Sequence, residues 1–124
     1  MKPAAKTILV VEDDSAVRDF LADCLRSEGY KVLTACDGKE GLALARARRP
    51  GLVILDLIMP EMHGFEVCEH LRQDERTKAV KILISSVKSY PADRKAAKGL
   101  GADRYLAKPY TTDDLLDAVK ALIG

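Results

Sequence analysis

Short apolar segments alternate along the chain with longer amphipathic ones. Five of the apolar segments are rich in aliphatic and β-branched side chains and are bounded by polar or turn-forming residues, which is typical of strands. The predicted strands read TILVV, KVLTA, LVILDL, KILIS and RYLA.

Helices are predicted in the gaps between these strands. In the first, Val17, Leu21 and Leu25 share one face, with Asp14 as a cap before the helix and Gly29 after it. The periodicity predicts helices over about 15–28, 37–49, 64–73, 92–100 and 111–123.

The last helix has the clearest start signal. Thr111 and Asp114 have the spacing of a capping box, in which each side chain bonds the backbone N–H of the other residue. The helix carries an apolar stripe of Leu115, Ala118, Val119 and Leu122.

Strict alternation of strands and helices indicates an α/β domain, with a parallel sheet covered by helices on both faces. The nearly continuous apolar character of LVILDL fits a central strand. We find no linker or repeat, so residues 1–124 are expected to form one domain. In such sheets, ligands bind at the carboxyl ends of the strands.

Composition narrows the class of partner. The 124 residues are 48% hydrophobic and 31% charged, with a net charge of +1, so no global field favours nucleic acid or an anionic membrane. Arg46, Arg48 and Arg49 are interpreted as complementing the negative end of the second helix rather than as a nucleic-acid patch.

Cys24, Cys36 and Cys68 are too few and too widely spaced for a disulfide framework, and are interpreted as reduced core thiols. The opening MKPAAK lacks the apolar region of a secretory signal, and no apolar stretch is long enough to cross a bilayer. These features predict a soluble cytoplasmic protein.

Polar residues follow four of the five predicted strands and should share one edge of the sheet. They are Glu12, Asp13 and Asp14 after the first, Asp56 at the end of the third, Ser85 and Ser86 after the fourth, and Lys108 with Pro109 after the fifth. Asp14 alone is interpreted as a helix cap.

Asp56 is the most informative of these residues. A carboxylate within an apolar run loses hydration and requires paired donors or a cation. If Glu12 and Asp13 lie beside it, their repulsion is relieved by Mg²⁺, which prefers carboxylates and phosphate oxygens. Asp56 could then attack phosphorus to form an acyl phosphate, with Ser86 and Lys108 holding the phosphoryl oxygens.

Four segments match a known family in order and spacing: VVEDD, ILDLIMPEMHG, ISSV and YLAKP. On these segments the chain resembles the receiver domain of two-component response regulators, and over nearly its whole length it is similar to the single-domain chemotaxis regulator. The resemblance implies a flavodoxin-like (βα)₅ fold, a five-stranded parallel sheet of order 2-1-3-4-5 with helices on both faces, and a cis peptide bond before Pro109.

The resemblance also implies site roles. Asp56 is the phosphoacceptor, Mg²⁺ (with Mn²⁺ as an alternative) is held by Asp13, Asp56 and the backbone carbonyl of Ile58, and Glu12 acts largely through water. Lys108 assists the phosphoryl group. A hydroxyl switch couples the site to Tyr105.

Two serines follow the fourth strand, so the switch hydroxyl is ambiguous between Ser85 and Ser86. Counting from Asp56 and Lys108 against the family pattern selects Ser86. His63 is interpreted as a solvated loop residue. Ile58 and Lys88 flank, by resemblance, the route of the attacking water.

The predicted function is a phosphorylation-dependent switch rather than an enzyme, with only Mg²⁺-dependent self-phosphorylation and self-dephosphorylation. The phosphoryl donor is a histidine kinase or a histidine phosphotransfer protein. The output partner, an unknown protein or domain, is expected on the face formed by the fourth helix, fifth strand and fifth helix. Direct nucleic-acid or membrane binding is not expected.

Three alternatives remain open. A receiver-like docking module that is never phosphorylated is disfavoured by the complete set of site residues. An aspartate-nucleophile phosphatase of the haloacid dehalogenase kind needs an acid two residues after the nucleophile, where this chain has Ile58. A flavodoxin-like mononucleotide binder needs a Ser/Thr/Gly-rich cradle where this chain has carboxylates.

Overall fold

Five strands form one parallel sheet in the computed structural model, which describes residues 6–59, 62–87 and 90–124. The strands are β1 (Thr7–Val11), β2 (Lys31–Ala35), β3 (Leu52–Leu55), β4 (Lys81–Ser86) and β5 (Arg104–Ala107). Their order is β2-β1-β3-β4-β5, which confirms the predicted topology.

A helix follows each strand. The helices are α1 (Ser15–Ser27), α2 (Gly38–Arg48), α3 (Gly64–Gln73), α4 (Pro91–Gly99) and α5 (Thr112–Ile123). The predicted boundaries agree with these ranges within one or two residues. The largest difference is at β3, which ends two residues before the predicted strand, whereas β4 extends one residue further than predicted and includes Ser86.

Alternation along the strands divides the core into two layers, because successive side chains point to opposite faces of a sheet. Ile8 and Val10 pack with α1 and α5, whereas Leu9 and Val11 pack with α2, α3 and α4. All four residues of β3 are buried, as expected for a central strand.

The helix starts follow the predicted caps. The Asp14 carboxylate accepts from the backbone N–H groups of Ala16 and Val17 at the start of α1, and Thr111 and Asp114 form the capping box of α5. Gly29 has a φ of 93°, a left-handed conformation that glycine adopts without strain after a helix.

Two sequence interpretations need correction. Cys68 is a buried thiol whose pKa is raised to about 12 by burial, but Cys36 is exposed and its thiol donates to Glu40 Oε2 at 3.1 Å, so Cys36 is not a core residue. Arg46 does not merely complement the end of α2, because its Nε lies 2.9 Å from the carboxylate of Asp74.

Helix α4 is the least buried of the five. Pro91 occupies its first turn, and Ala97 is its one buried residue, whereas each of the other helices buries three or four. Among the described residues, no helix combines the length and apolar character needed to cross a bilayer.

The winding of the chain reverses between β1 and β3. From β1 the chain moves outward to β2, then crosses to β3 and continues to β5 at the opposite edge. The segments that follow β1 and β3 therefore lie at the switch point of the sheet, where open α/β folds form ligand sites.

Candidate functional site

The predicted acidic cluster forms at the switch point. Glu12 follows β1 and Asp56 follows β3, two strands that pair side by side. One carboxylate oxygen from each of Glu12, Asp13 and Asp56 lies within 4.8 Å of the others. Glu12 and Asp56 are buried, whereas Asp13 is exposed, so the cluster is open to solvent on one side.

Lys108 supplies the balancing positive charge. Its Nζ lies 3.0 Å from Asp56 Oδ2 and 3.3 Å from Glu12 Oε1. Burial acts to lower the pKa of Lys108, but the hydrogen bonds and charges of Asp56 and Glu12 outweigh it, and the pKa is raised. The bond between Lys108 and Pro109 is cis, as the family resemblance implied.

The second oxygen of Asp56 is also held. Asp56 Oδ1 accepts the backbone N–H of Ile58 at 3.0 Å, a local bond typical of an Asp at the start of a turn. This bond turns the chain away from the sheet, which explains why β3 ends at Leu55 rather than at the predicted position. One carboxylate oxygen thus faces the ammonium and the other faces the loop.

The pKa of Glu12 reflects its burial close to another carboxylate. Burial raises its pKa to about 7, with a further contribution from Asp56 that exceeds the opposing effect of Lys108. A donor set of three carboxylates with more negative charge than one ammonium can balance suits a hard divalent cation. The residues present therefore fit Mg²⁺.

Arg18 supports the acidic segment in a way that the sequence analysis missed. Its NH1 donates to the backbone carbonyl of Glu12 at 2.9 Å and approaches that of Asp13 at 3.4 Å. The only sequence signal is the position of Arg18 one turn after the Asp14 cap, which leads the side chain back toward the strand end.

The two serines of β4 face opposite layers. The Ser85 hydroxyl lies 2.8 Å from that of Tyr110, which packs in the layer of α1 and α5. Ser86, fully buried, hydrogen-bonds Tyr105, which packs in the other layer. Burial raises the pKa of Tyr105, with a smaller contribution from Asp93, and the Ser86 bond opposes this.

Helix α3 begins directly against the Asp56 segment. A Cβ on Gly64 would lie 2.6 Å from the Asp56 carbonyl oxygen and 2.7 Å from the Leu57 Cα, so only glycine permits this contact. The interpretation of His63 as a solvated loop residue is wrong. Its Nδ1 accepts the backbone N–H of Phe65 at 3.1 Å and caps α3.

The remaining site predictions are placed as follows. The Ile58 side chain is exposed beside the cluster, and Tyr90 is exposed before α4. Tyr105 lies half-buried at the α4 side of the sheet, under the Arg94 guanidinium. Lys88 lies outside the described residues.

Comparisons with known proteins agree on one family. The family model of the response regulator receiver domain matches residues 8–120. The chain is 40% identical over 116 residues to the DNA-binding dual master transcriptional regulator RpaA of Synechocystis, covering 94% of this chain and 48% of that protein. It is 41% identical over 116 residues to the response regulator MprA of Mycolicibacterium vanbaalenii, covering 94% and 49%. The chain thus spans about half the length of the curated relatives it matches.

Solved structures give the same result. The Vibrio cholerae chemotaxis protein CheY4 aligns with a TM-score of 0.93 at 32% identity, covering 97% of this chain and 100% of that one. A putative response regulator from Chloroflexus aurantiacus aligns with a TM-score of 0.91 at 33% identity, covering 96% and 98%. The chain belongs to the receiver domain family of two-component response regulators.

Proposed function

We propose that residues 1–124 act as a phosphorylation switch in which Asp56 accepts a phosphoryl group from a histidine kinase or a histidine phosphotransfer protein. The observation that carries this proposal is the contact of 3.0 Å between Lys108 Nζ and Asp56 Oδ2, inside a cluster of three carboxylates. Among the described carboxylates, Glu12 and Asp56 both combine burial, a contact with the Lys108 ammonium and two acidic neighbours, and Asp56 makes the shorter contact, 3.0 Å against 3.3 Å.

The chemistry follows from the two oxygens of Asp56. The bond from Ile58 N–H to Oδ1 fixes the carboxylate plane, which leaves the other oxygen to attack phosphorus once Lys108 turns toward the incoming phosphoryl group. A new bond forms between that oxygen and phosphorus, and the bond between phosphorus and the donor imidazole nitrogen breaks. The electron pair of that bond stays on the imidazole.

Asp13, Asp56 and the Ile58 carbonyl would hold Mg²⁺ or Mn²⁺, with Glu12 acting through water. When bound, the ion neutralises charge on the phosphoryl oxygens. Lys108 neutralises the remaining charge, and the Ser86 hydroxyl donates to a phosphoryl oxygen. The same groups serve self-dephosphorylation, so the chemistry proposed for the domain is limited to its own phosphorylation and dephosphorylation.

The separation of the serines supports Ser86 as the switch hydroxyl. Ser85 is paired with Tyr110 in the layer of α1 and α5, whereas Ser86 meets Tyr105 on the α4 side. Recruitment of Ser86 by a phosphoryl group would therefore alter Tyr105 directly. The face formed by α4, β5 and α5 is the proposed output surface for an unidentified partner.

The acceptor assignment is tested by intact mass. The chain is incubated with Mg²⁺ and acetyl phosphate, and one phosphoryl adduct is expected per molecule. Asp56→Asn should abolish the adduct, because the amide is not a nucleophile toward phosphorus. Asp19→Asn, an exposed carboxylate on α1, is the matched control and should be modified like the wild type. An adduct of equal yield on Asp56→Asn would refute the assignment.

A further inference from the structure

A cavity lies at the edge of the sheet opposite the acidic cluster, where β1, β3 and β4 begin. It has a volume of about 470 Å³, a size typical of sites for small ligands. We call it the amino-edge cavity, and its lining includes Lys6, Arg49, Gly51, Lys81, Leu122 and Ile123. Gly51 and Asp56 flank β3, so the cavity is roughly 16 Å from the acceptor carboxylate. It is therefore separate from the proposed phosphorylation site.

Three exposed cations line the amino-edge cavity. Lys6 precedes β1, Arg49 lies between α2 and β3, and Lys81 is the first residue of β4. Because β3 lies between β1 and β4 in the sheet, the strands that carry the two lysines are roughly 10 Å apart. Among the described residues that line the cavity, none has a carboxylate side chain. The cavity is therefore strongly positive.

The fold does not neutralise these charges. Within the described part of the chain, Lys6, Arg49 and Lys81 have no carboxylate within 4.0 Å. The Lys6 ammonium donates to the backbone carbonyl of Ile123 at the end of α5, which satisfies a helix end but pairs no opposite charge. An anion in the cavity would supply that charge.

Arg49 has an unusual backbone conformation. Its φ is 44° and its ψ is 63°, the left-handed region that glycine favours at the end of a helix. Of the described residues other than glycine, only Arg49 has a positive φ. Arg49 also lines an adjoining cavity of about 250 Å³, so its side chain lies between two openings. Retention of a charged residue in a strained conformation is a feature of ligand sites.

The three cations suit a chain of phosphates. A guanidinium binds two phosphate oxygens at once, and an ammonium binds phosphate as a compact charge. A phosphate chain carries several negative charges over a short distance, as cations on neighbouring strands require. An acidic peptide carries at most one charge on each side chain, so the same charge would need a segment longer than this cavity holds.

An apolar wall lies beside the cations. Leu122 and Ile123 line the cavity, and a Cβ on Gly51 would lie 4.0 Å from Cγ2 of Ile123. This wall offers a surface for the base of a nucleotide, whereas an inorganic phosphate chain would contact the cations alone. The same charge recognition therefore serves two sources of phosphate.

We propose that the amino-edge cavity binds a polyphosphate group, either inorganic or the triphosphate of a nucleotide, through Lys6, Arg49 and Lys81. Binding does not require modification of Asp56. Charges roughly 16 Å apart are largely screened at physiological ionic strength, where the Debye length is about 8 Å.

The test titrates sodium tripolyphosphate, and separately ATP, into the ¹⁵N-labelled chain in metal-free buffer at physiological ionic strength. Saturable amide shifts are expected at the starts of β1, β3 and β4 and at the end of α5. Sodium sulfate at the same ionic strength should not produce them. Absence of saturable shifts with both phosphate compounds, or equal shifts with sulfate, would overturn the proposal.

The two phosphate compounds distinguish the source of the ligand. Tighter binding of ATP would support the proposal with a nucleotide as the ligand, because the base then contributes. Binding of tripolyphosphate with equal or higher affinity would support it with the phosphate chain alone as the recognised group.

Removal of two charges identifies the surface. The double variant Arg49→Gly, Lys81→Gln should weaken binding by about tenfold or more, since two charge-assisted contacts are lost. Glycine suits the φ of 44° at position 49, so this variant should fold. The matched control, Lys39→Gln, Lys95→Gln, removes two exposed charges outside the cavity and should bind like the wild type. Equal weakening in both double variants would overturn the proposal.

Two readouts separate this inference from the proposed function. Asp56→Asn should bind tripolyphosphate like the wild type, and the Arg49→Gly, Lys81→Gln variant should still form the adduct with acetyl phosphate. Shifts confined to the segments around Asp56 and Lys108 would place the phosphates at the acceptor site and overturn the proposal.

Discussion

At the scale of single residues, Lys108 contacts the acidic cluster through its side chain and β4 through its backbone. Its Nζ lies 3.0 Å from Asp56 Oδ2, and its amide N–H donates to the Ser86 carbonyl at 2.8 Å. The residue that balances the Asp56 charge is therefore attached to the strand end that carries the proposed switch hydroxyl. A shift of the Lys108 backbone would move both groups together.

Glu12 makes the first residue-scale prediction. In the native state its pKa lies at about 7, above an ordinary value of 4.5, so between these values the native state holds a proton that the unfolded chain releases. The free energy of unfolding should then fall as pH rises through this window, by roughly 1–2 kcal/mol after allowance for solvent screening. Urea denaturation in EDTA measures it.

Glu12→Gln should remove this pH dependence, because the amide does not titrate. Glu28→Gln, an exposed carboxylate after α1, is the matched control and should follow the wild-type curve. If Glu12→Gln and the wild type lost stability in parallel from pH 4.5 to about 7, burial of Glu12 would not be the cause.

At this scale the sequence predicted the members of the acidic cluster and Lys108, but not all of the residues that hold the neighbouring backbone in place. Glu12, Asp13, Asp56 and Lys108 were identifiable because residues after parallel strands meet at one edge. Arg18 and the cap formed by His63 were not, because both depend on the direction in which a side chain leaves its helix or loop, and spacing alone does not determine that.

At the scale of elements, the starts of the helices set the geometry of the site. Helix α3 approaches the acceptor segment without a side chain between them, since Gly64 lies against the Asp56 carbonyl and Leu57. The strand and helix periods predicted every element, including α4, which buries only Ala97, and β5, whose residues are at most half-buried. The end of β3 was predicted too late because the Asp56 to Ile58 bond ends the strand within an apolar run.

The Gly64 contact predicts that alanine substitutions at Gly64 and Gly99 have different effects on the free energy of unfolding. Gly64→Ala should lower the free energy of unfolding by about 1–3 kcal/mol, because the new Cβ would collide with backbone that cannot move freely. Gly99→Ala, at the end of α4 with nothing within 4 Å of its Cβ, is the control and should be neutral or slightly stabilising.

Thermal and urea denaturation of the two variants measure this difference. Phosphoryl adduct yield gives a second readout, which should fall in Gly64→Ala because the Asp56 segment is displaced. Equal stability of both alanine variants would mean that α3 shifts away from Asp56 without penalty.

At the scale of the whole molecule, the sheet divides the protein into two layers that meet the site through different hydroxyls. Ser85 and Tyr110 belong to the layer of α1 and α5, and Ser86 and Tyr105 to the layer of α2, α3 and α4. Sequence counting selected Ser86 by family pattern. In the structure, the register of β4 against β5 puts Ser86 on the same face as Tyr105, since Tyr105 pairs with Ile84 two residues before Ser86. Ser85 is related to Tyr110, which follows β5, by the contact of 2.8 Å between their hydroxyls.

The division into two layers predicts which elements change conformation when Asp56 is phosphorylated. On treatment with Mg²⁺ and acetyl phosphate, amide shifts in the wild type should extend from the Asp56 segment through β4 and β5 to α4. In Ser86→Ala they should stay near Asp56, because the link to Tyr105 is lost. Ser85→Ala is the matched control and should transmit like the wild type. The reverse pattern would make Ser85 the switch.

Helix α4 buries fewer residues than the other helices, and this affects how often it opens locally. With Ala97 as its one buried residue, lifting this helix from the sheet exposes little apolar surface, whereas lifting α3 exposes Val67, Cys68 and Leu71. Local opening should therefore be commonest at α4, and its amide protons should exchange with deuterium before those of the other helices. A ligand that binds α4 would slow that exchange. Deuterium uptake would therefore detect the binding of a partner whose identity is not known beforehand.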